Sequence, residues 1–169
     1  MDFSTEQEDV CSALKAQRLP RWRELPDLEL YMDQVLSLVE RYLGEDPGYG
    51  ERGLTASMVN NYVKLGVMPK PVKKRYTREH LAYLIMICVL KASLPMGAIR
   101  ALMARETAGC GPGDVYDRFC DAFERAGKDT AAAYAAAASD AETVFRAALR
   151  ARAEQGVTLR LAAALEKKN

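Results

Sequence analysis

The chain has 169 residues, 49% of them hydrophobic and 28% charged, with 11 glycines, 7 prolines, four cysteines and one histidine. Such a chain can bury roughly 70% of its unfolded surface without a disulfide or metal, and its composition excludes collagen-like and disordered classes. The net charge of +1 hides an asymmetry: residues 1–53 carry 6 basic and 12 acidic side chains, residues 54–80 carry 6 basic and 1 acidic, and residues 81–169 carry 12 basic and 10 acidic. A short basic block on a near-neutral chain points to a local anionic partner, the plain alternative being a solvated basic loop.

In chain order, Thr5 and Glu8 have the spacing of a capping box and open a helix over 4–18. Pro20 and Pro26 then flank the single tryptophan, Trp22, which implies an ordered loop packed on the domain. Asp27 is placed to cap a helix over 28–43, closed by Gly44, with a turn-rich loop over 45–50. Thr55 caps a short helix over 56–65. Residues 67–76 hold two prolines and four basic residues, which reads as an extended loop or small hairpin. Thr77 opens a strongly apolar helix over 78–92, and Pro95 a helix over 95–104. A Gly-Cys-Gly-Pro-Gly linker over 109–113 leads to a helix over 114–126 begun by Asp114. Asp129 begins an alanine-rich helix over 130–155, which Gly156 bends or stops.

The N-terminus lacks the apolar region of a signal peptide. The longest apolar run, 81–90, is half the roughly 20 residues of a membrane span. A cytoplasmic protein with Cys11, Cys88, Cys110 and Cys120 as reduced thiols is expected. Cys110 and Cys120 could form a metal or redox pair, though two unrelated small apolar residues are the simpler reading.

On the 56–65 helix, Ser57, Asn60, Asn61 and Lys64 fall within about 100° of one another and the opposite face is apolar. Ordinary wet helix faces show Glu and Lys. Asn can bond adenine N6 and N7 together, Ser adapts to several base edges, and Lys reaches guanine or phosphate. Asn residues that merely bond nearby backbone are the bland alternative. The basic loop that follows, with Lys70, Lys73, Lys74 and Arg75, can grip phosphate while the helix reads bases. Thr55 and Arg78 join this phosphate-binding set. Tyr76 is expected to anchor the loop on the core.

The runs 54–69 (LTASMVNNYVKLGVMP), 75–81 (RYTREHL) and 94–103 (LPMGAIRALM) resemble the MerR-type winged helix-turn-helix. More narrowly, 30–35 (LYMDQV), 58–64 (MVNNYVK) and 73–76 (KKRY) resemble a little-characterised bacterial family of MerR-like winged helix-turn-helix transcriptional regulators. The resemblance covers about residues 19–104. It implies an all-α fold with a small wing: an N-terminal helix and Pro/Trp loop over 1–26, a winged helix-turn-helix DNA-binding domain over 27–108, and a helical C-terminal region over 109–169 for dimerisation or effector binding.

The expected function is a sequence-specific, double-stranded-DNA-binding transcriptional regulator. The alternative is a protein-interaction adaptor that binds an acidic partner through a degenerate helix-turn-helix. No enzyme motif is present: there is no phosphate loop or G-x-S-x-G, and a cap or phosphate contact explains His80. Neither a cofactor nor a metal is expected. One short recognition helix covers too few base pairs to select a site, so a homodimer reading two half-sites is expected. Its candidate interface is the stripe Tyr134, Ala137, Ala141, Val144, Phe145, Ala148 and Leu149, unless that stripe packs on Tyr116, Phe119 and Phe123 of its own chain.

Overall fold

The structure, a computed structural model, describes residues 3–44, 49, 53–135 and 141–167. Among these residues the chain is all-helical, with seven α-helices and no strand. They are α1 (Phe3–Ala16), α2 (Met32–Leu43), α3 (Ala56–Lys64), α4 (Arg78–Leu90), α5 (Met96–Glu106), α6 (Pro112–Ala135) and α7 (Ala141–Glu166), with a 3-10 turn at Trp22–Glu24 between α1 and α2.

The centre of the molecule is α4. Its residues from His80 to Cys88 are all buried, as its unbroken apolar run requires: a helix apolar all round has no wet face to offer. On one side α2 packs against it through Val35, Val39 and Leu43, which recur every fourth residue. On another, α6 inserts Tyr116 and Cys120, both with 0% exposure. Each fully buried Val or Leu of this core contributes roughly 1.5–3 kcal/mol. Trp22 is half-buried, its ring 6.5 Å from that of Tyr116. The loop of prolines and tryptophan is therefore ordered, as its sequence suggests. The core also crosses the boundary expected after residue 108, because α6 supplies Tyr116 and Cys120 to the cluster built by α2 and α4.

Several helix ends differ from expectation, each for a physical reason. The helix expected from residue 28 begins at Met32. Leu30 instead pairs with Tyr76: the Leu30 N–H donates to the Tyr76 carbonyl at 2.7 Å and the Tyr76 N–H returns the bond at 2.9 Å. This bridge buries both side chains, and Gln34 Oε1 accepts the Tyr31 N–H at 2.8 Å to start the helix. Asp27, expected as the cap, instead pairs with Arg78 at 3.4 Å. Thr5 lies inside α1 and does not cap it. Asp114 and Asp129 likewise lie inside α6, which runs unbroken through residues 126–130.

That continuity has a packing cause. Gly127 is buried where α6 crosses α1, and a Cβ there would lie 2.5 Å from the Leu14 carbonyl oxygen and against the Gln17 amide. The glycine permits close approach of two helices and does not break one. Gln7 Nε2 bonds the Tyr134 carbonyl and Gln17 Nε2 the Phe123 carbonyl, tying the same pair. Gly156, expected to bend or stop a helix, sits within α7. The single helix expected over 130–155 is divided between α6 and α7, and residues 136–140 lie outside the described residues, as do 45–48 and 50 of the expected turn-rich loop. All four cysteines are free; Cys120 is buried and Cys110 exposed, so they do not pair. No helix among the described residues is long and apolar enough to cross a membrane.

Candidate nucleic-acid interface

The short helix α3 starts where the Thr55 hydroxyl accepts the Met58 N–H at 3.3 Å. It ends at Gly66, whose φ of +67° is the left-handed conformation that glycine tolerates best. Val59 and Tyr62 anchor it in the core at 0% and 3% exposure. Burial raises the Tyr62 hydroxyl to about 12, so it stays neutral. Ser57, Asn60, Asn61 and Lys64 are all exposed. None of the four makes a side-chain hydrogen bond or ion pair with another described residue. The amides are thus not spent on nearby backbone, which is the usual employment of a helix asparagine.

From α3 the chain passes through buried Val67 and Met68 to a basic turn. The Arg75 N–H donates to the Val72 carbonyl at 2.8 Å, and Val72 and Arg75 form an isolated antiparallel bridge. The two residues between them are Lys73 at φ 50° and Lys74 at φ 61°. Two left-handed central residues are the signature of a type I′ hairpin turn, which strongly favours Asn-Gly. A side chain with a Cβ costs roughly 1–2 kcal/mol at each such position. Lys70, Lys73 and Lys74 are exposed and no described carboxylate pairs with them. The turn therefore accepts local strain at the two places where it displays ammonium groups.

The base of this hairpin is held firmly. Tyr76 is 4% exposed and its ring meets that of His80 edge-on at 5.6 Å. His80 Nδ1 accepts the Thr77 N–H at 3.0 Å, which closes the N-terminus of α4. Burial pushes the His80 imidazole below its ordinary value, so the neutral acceptor form is favoured. His80 is a cap in a buried setting. Arg78 is also committed to the fold: its Nε donates to the Leu25 carbonyl at 3.1 Å, and its guanidinium lies 5.6 Å from the Trp22 ring centroid. With a side chain only 19% exposed, it does not stand free beside the lysines. Arg75 differs again, since its guanidinium lies over the Tyr31 ring at 3.7 Å.

The structure thus leaves Ser57, Asn60, Asn61 and Lys64 free on α3 and Lys70, Lys73 and Lys74 free on the hairpin, spends Thr55 on a cap, and withdraws Arg78 into the framework. The part that sequence reasoning missed is the segment before α2. Leu30 pairs with the hairpin base and Tyr31 stacks on Arg75, links that span 46 and 44 positions of sequence and that no local pattern signals.

In the C-terminal stripe, Val144, Phe145 and Leu149 are exposed at 52%, 69% and 69%. Ala141 and Ala148 are exposed, Tyr134 is half-buried and Ala137 lies outside the described residues. Tyr116, Phe119 and Phe123 belong to the core around α4, whose cluster includes none of Val144, Phe145 and Leu149.

Fold and surface define an all-helical protein that carries an amide-faced helix and a strained basic turn. The chain belongs to the family described as "Domain of unknown function (DUF1836)", whose model matches residues 20–119, from the tryptophan loop into α6. No match to the chain was found among curated proteins or among solved structures.

Proposed function

We propose that the protein is a cytoplasmic, sequence-specific DNA-binding transcriptional regulator built as a MerR-like winged helix-turn-helix. In this reading α2 and α3 are the helix-turn-helix pair and α3 enters the major groove. Ser57, Asn60, Asn61 and Lys64 meet base edges, and the 70–76 hairpin is the wing whose lysines meet phosphates. The observation that carries the reading is the turn itself: Lys73 and Lys74 occupy left-handed backbone where Asn-Gly would be unstrained. Strain kept at a charged tip is what a site selected for contact retains. The unpartnered amides of α3 supply the second half of a reader, the part that distinguishes bases. The full-length chain acts as a homodimer, with Phe145 and Leu149 at the centre of the interface.

Selection of bound fragments from genomic DNA, followed by titration of the enriched site against salt, tests this. The expected result is a discrete motif, with an affinity that falls with salt by a slope of about 0.9 per phosphate contacted. Asn61→Ala should cost roughly 1–3 kcal/mol on the selected site and leave non-specific affinity unchanged. Failure to enrich any fragment, with retention on an acidic polypeptide at matched salt, would replace this reading with that of an adaptor for acidic partners.

A further inference from the structure

The bridge between Leu30 and Tyr76 sets a register with a consequence for the residues beside it. In an antiparallel pairing of Leu30 with Tyr76, the next pair along is Tyr31 with Arg75, and side chains alternate between faces. Leu30 and Tyr76 point inward, each 4% exposed, while Tyr31 is 52% exposed. Arg75 lies over it, its guanidinium carbon 3.7 Å from the ring centroid. A stacked guanidinium uses its face for the ring and keeps its N–H donors in the plane, where they form a fork that matches the oxygens of a phosphate. The Arg75 side chain has no hydrogen bond or ion pair with any described residue, so the fork is unspent.

We infer that Tyr31 is a positioning residue that holds Arg75 as a preformed phosphate fork at the base of the hairpin. This rests on the DNA-binding reading above and adds to it a division of labour. Lys70, Lys73 and Lys74 are flexible point charges that must lose rotamer freedom on binding. Arg75 is ordered before binding by a ring on a different element, so less freedom is lost when it meets a phosphate. The stack also makes the hairpin lean on the residue that opens α2.

The test is a titration of full-length wild type, Tyr31→Phe, Tyr31→Leu, Arg75→Ala and the Tyr31→Leu/Arg75→Ala pair with a mixed-sequence DNA duplex across a salt series. Tyr31→Phe keeps the ring and should bind as wild type does. Tyr31→Leu removes the ring and should weaken binding about five- to tenfold. Arg75→Ala should lower the salt slope by about 0.9, one phosphate contact. The pair should bind no more weakly than Arg75→Ala alone, because the tyrosine acts only through the arginine. Thermal unfolding separates this from a merely structural role, since Tyr31 is half exposed and its loss should barely change the midpoint. A Tyr31→Leu protein with wild-type affinity, or losses that add in the pair, would overturn the inference while leaving the DNA-binding reading in place. A wild-type protein with no salt-dependent affinity for the duplex overturns both.

Discussion

Lys73 and Lys74 are the residues at which local preference and local structure disagree most. Both have positive φ, and neither side chain makes a hydrogen bond or ion pair with a described residue that would offset the strain. Replacing them with Asn and Gly should therefore stabilise the protein by about 1–2 kcal/mol in denaturant unfolding, while lowering affinity for duplex DNA and flattening its salt slope. Stability that falls in this double variant would mean that the lysines hold the turn for a packing reason. His80 makes the opposite kind of statement, a polar residue buried by the fold, with its Nδ1 bonded to the Thr77 N–H. Its imidazole is held below the ordinary value near 6.5 by burial. The unfolded chain therefore binds a proton at a higher pH than the folded one. Stability is fully present above that ordinary value and is lost as pH falls through the window down to the depressed folded value. His80 is the only histidine, so the loss of unfolding free energy as pH falls below neutrality should diminish in His80→Gln by the part that this imidazole contributes. A slope undiminished in the variant would assign the effect to carboxylates.

At the scale of elements, the pairing of α1 with α6 turns on a single missing side chain. In an open helix interior Gly→Ala stabilises by about 1 kcal/mol. At Gly127 the added methyl would meet the Leu14 carbonyl oxygen at 2.5 Å, and a backbone atom cannot step aside. Gly127→Ala should therefore destabilise the protein by roughly 1–3 kcal/mol and loosen α1. Amide hydrogen exchange would show this as lost protection in α1, with α4 unchanged. Protection retained in α1 would mean that the two helices can shift apart at no cost. The pairing lies largely outside the 20–119 span of the family match, which covers none of α1 and only the first residues of α6.

For the molecule as a whole, α7 is the element whose apolar residues its own chain does not cover. Val144, Phe145, Leu149, Val157, Leu159 and Leu161 are all exposed, although Gln155 bonds the Ser93 carbonyl at 2.9 Å and Ala162 is buried. In the proposed dimer this surface meets its copy. Phe145→Glu with Leu149→Glu should give a folded monomer by sedimentation, with affinity for a palindromic site reduced far more than non-specific affinity. A dimer that survives both charges would move the interface elsewhere, α1 being the next candidate. Truncation after residue 108 would be a poor substitute, because it removes Tyr116 and Cys120 from the core.

What the sequence by itself determined is local and periodic. The apolar run of α4, the amphipathic face of α3 with its Thr55 cap and terminal Gly66, and the segregation of charge into residues 54–80 follow from residue order alone. The exposure of Ser57, Asn60, Asn61 and Lys64 follows from the same periodicity. Tertiary structure decided the rest wherever a distant partner offered a residue more than its neighbours did. Leu30 left the expected helix because Tyr76 could satisfy both its backbone groups. Asp27 gave up its cap for Arg78, and Arg78 left the basic surface for the Leu25 carbonyl and Trp22. Gly127 stayed helical because α1 needed the space of its missing side chain. The left-handed backbone at Lys73 and Lys74 was illegible for the same reason: a hairpin closed by Val72 and Arg75, and tied through Tyr76 to Leu30, imposes a turn that the two lysines alone would not choose.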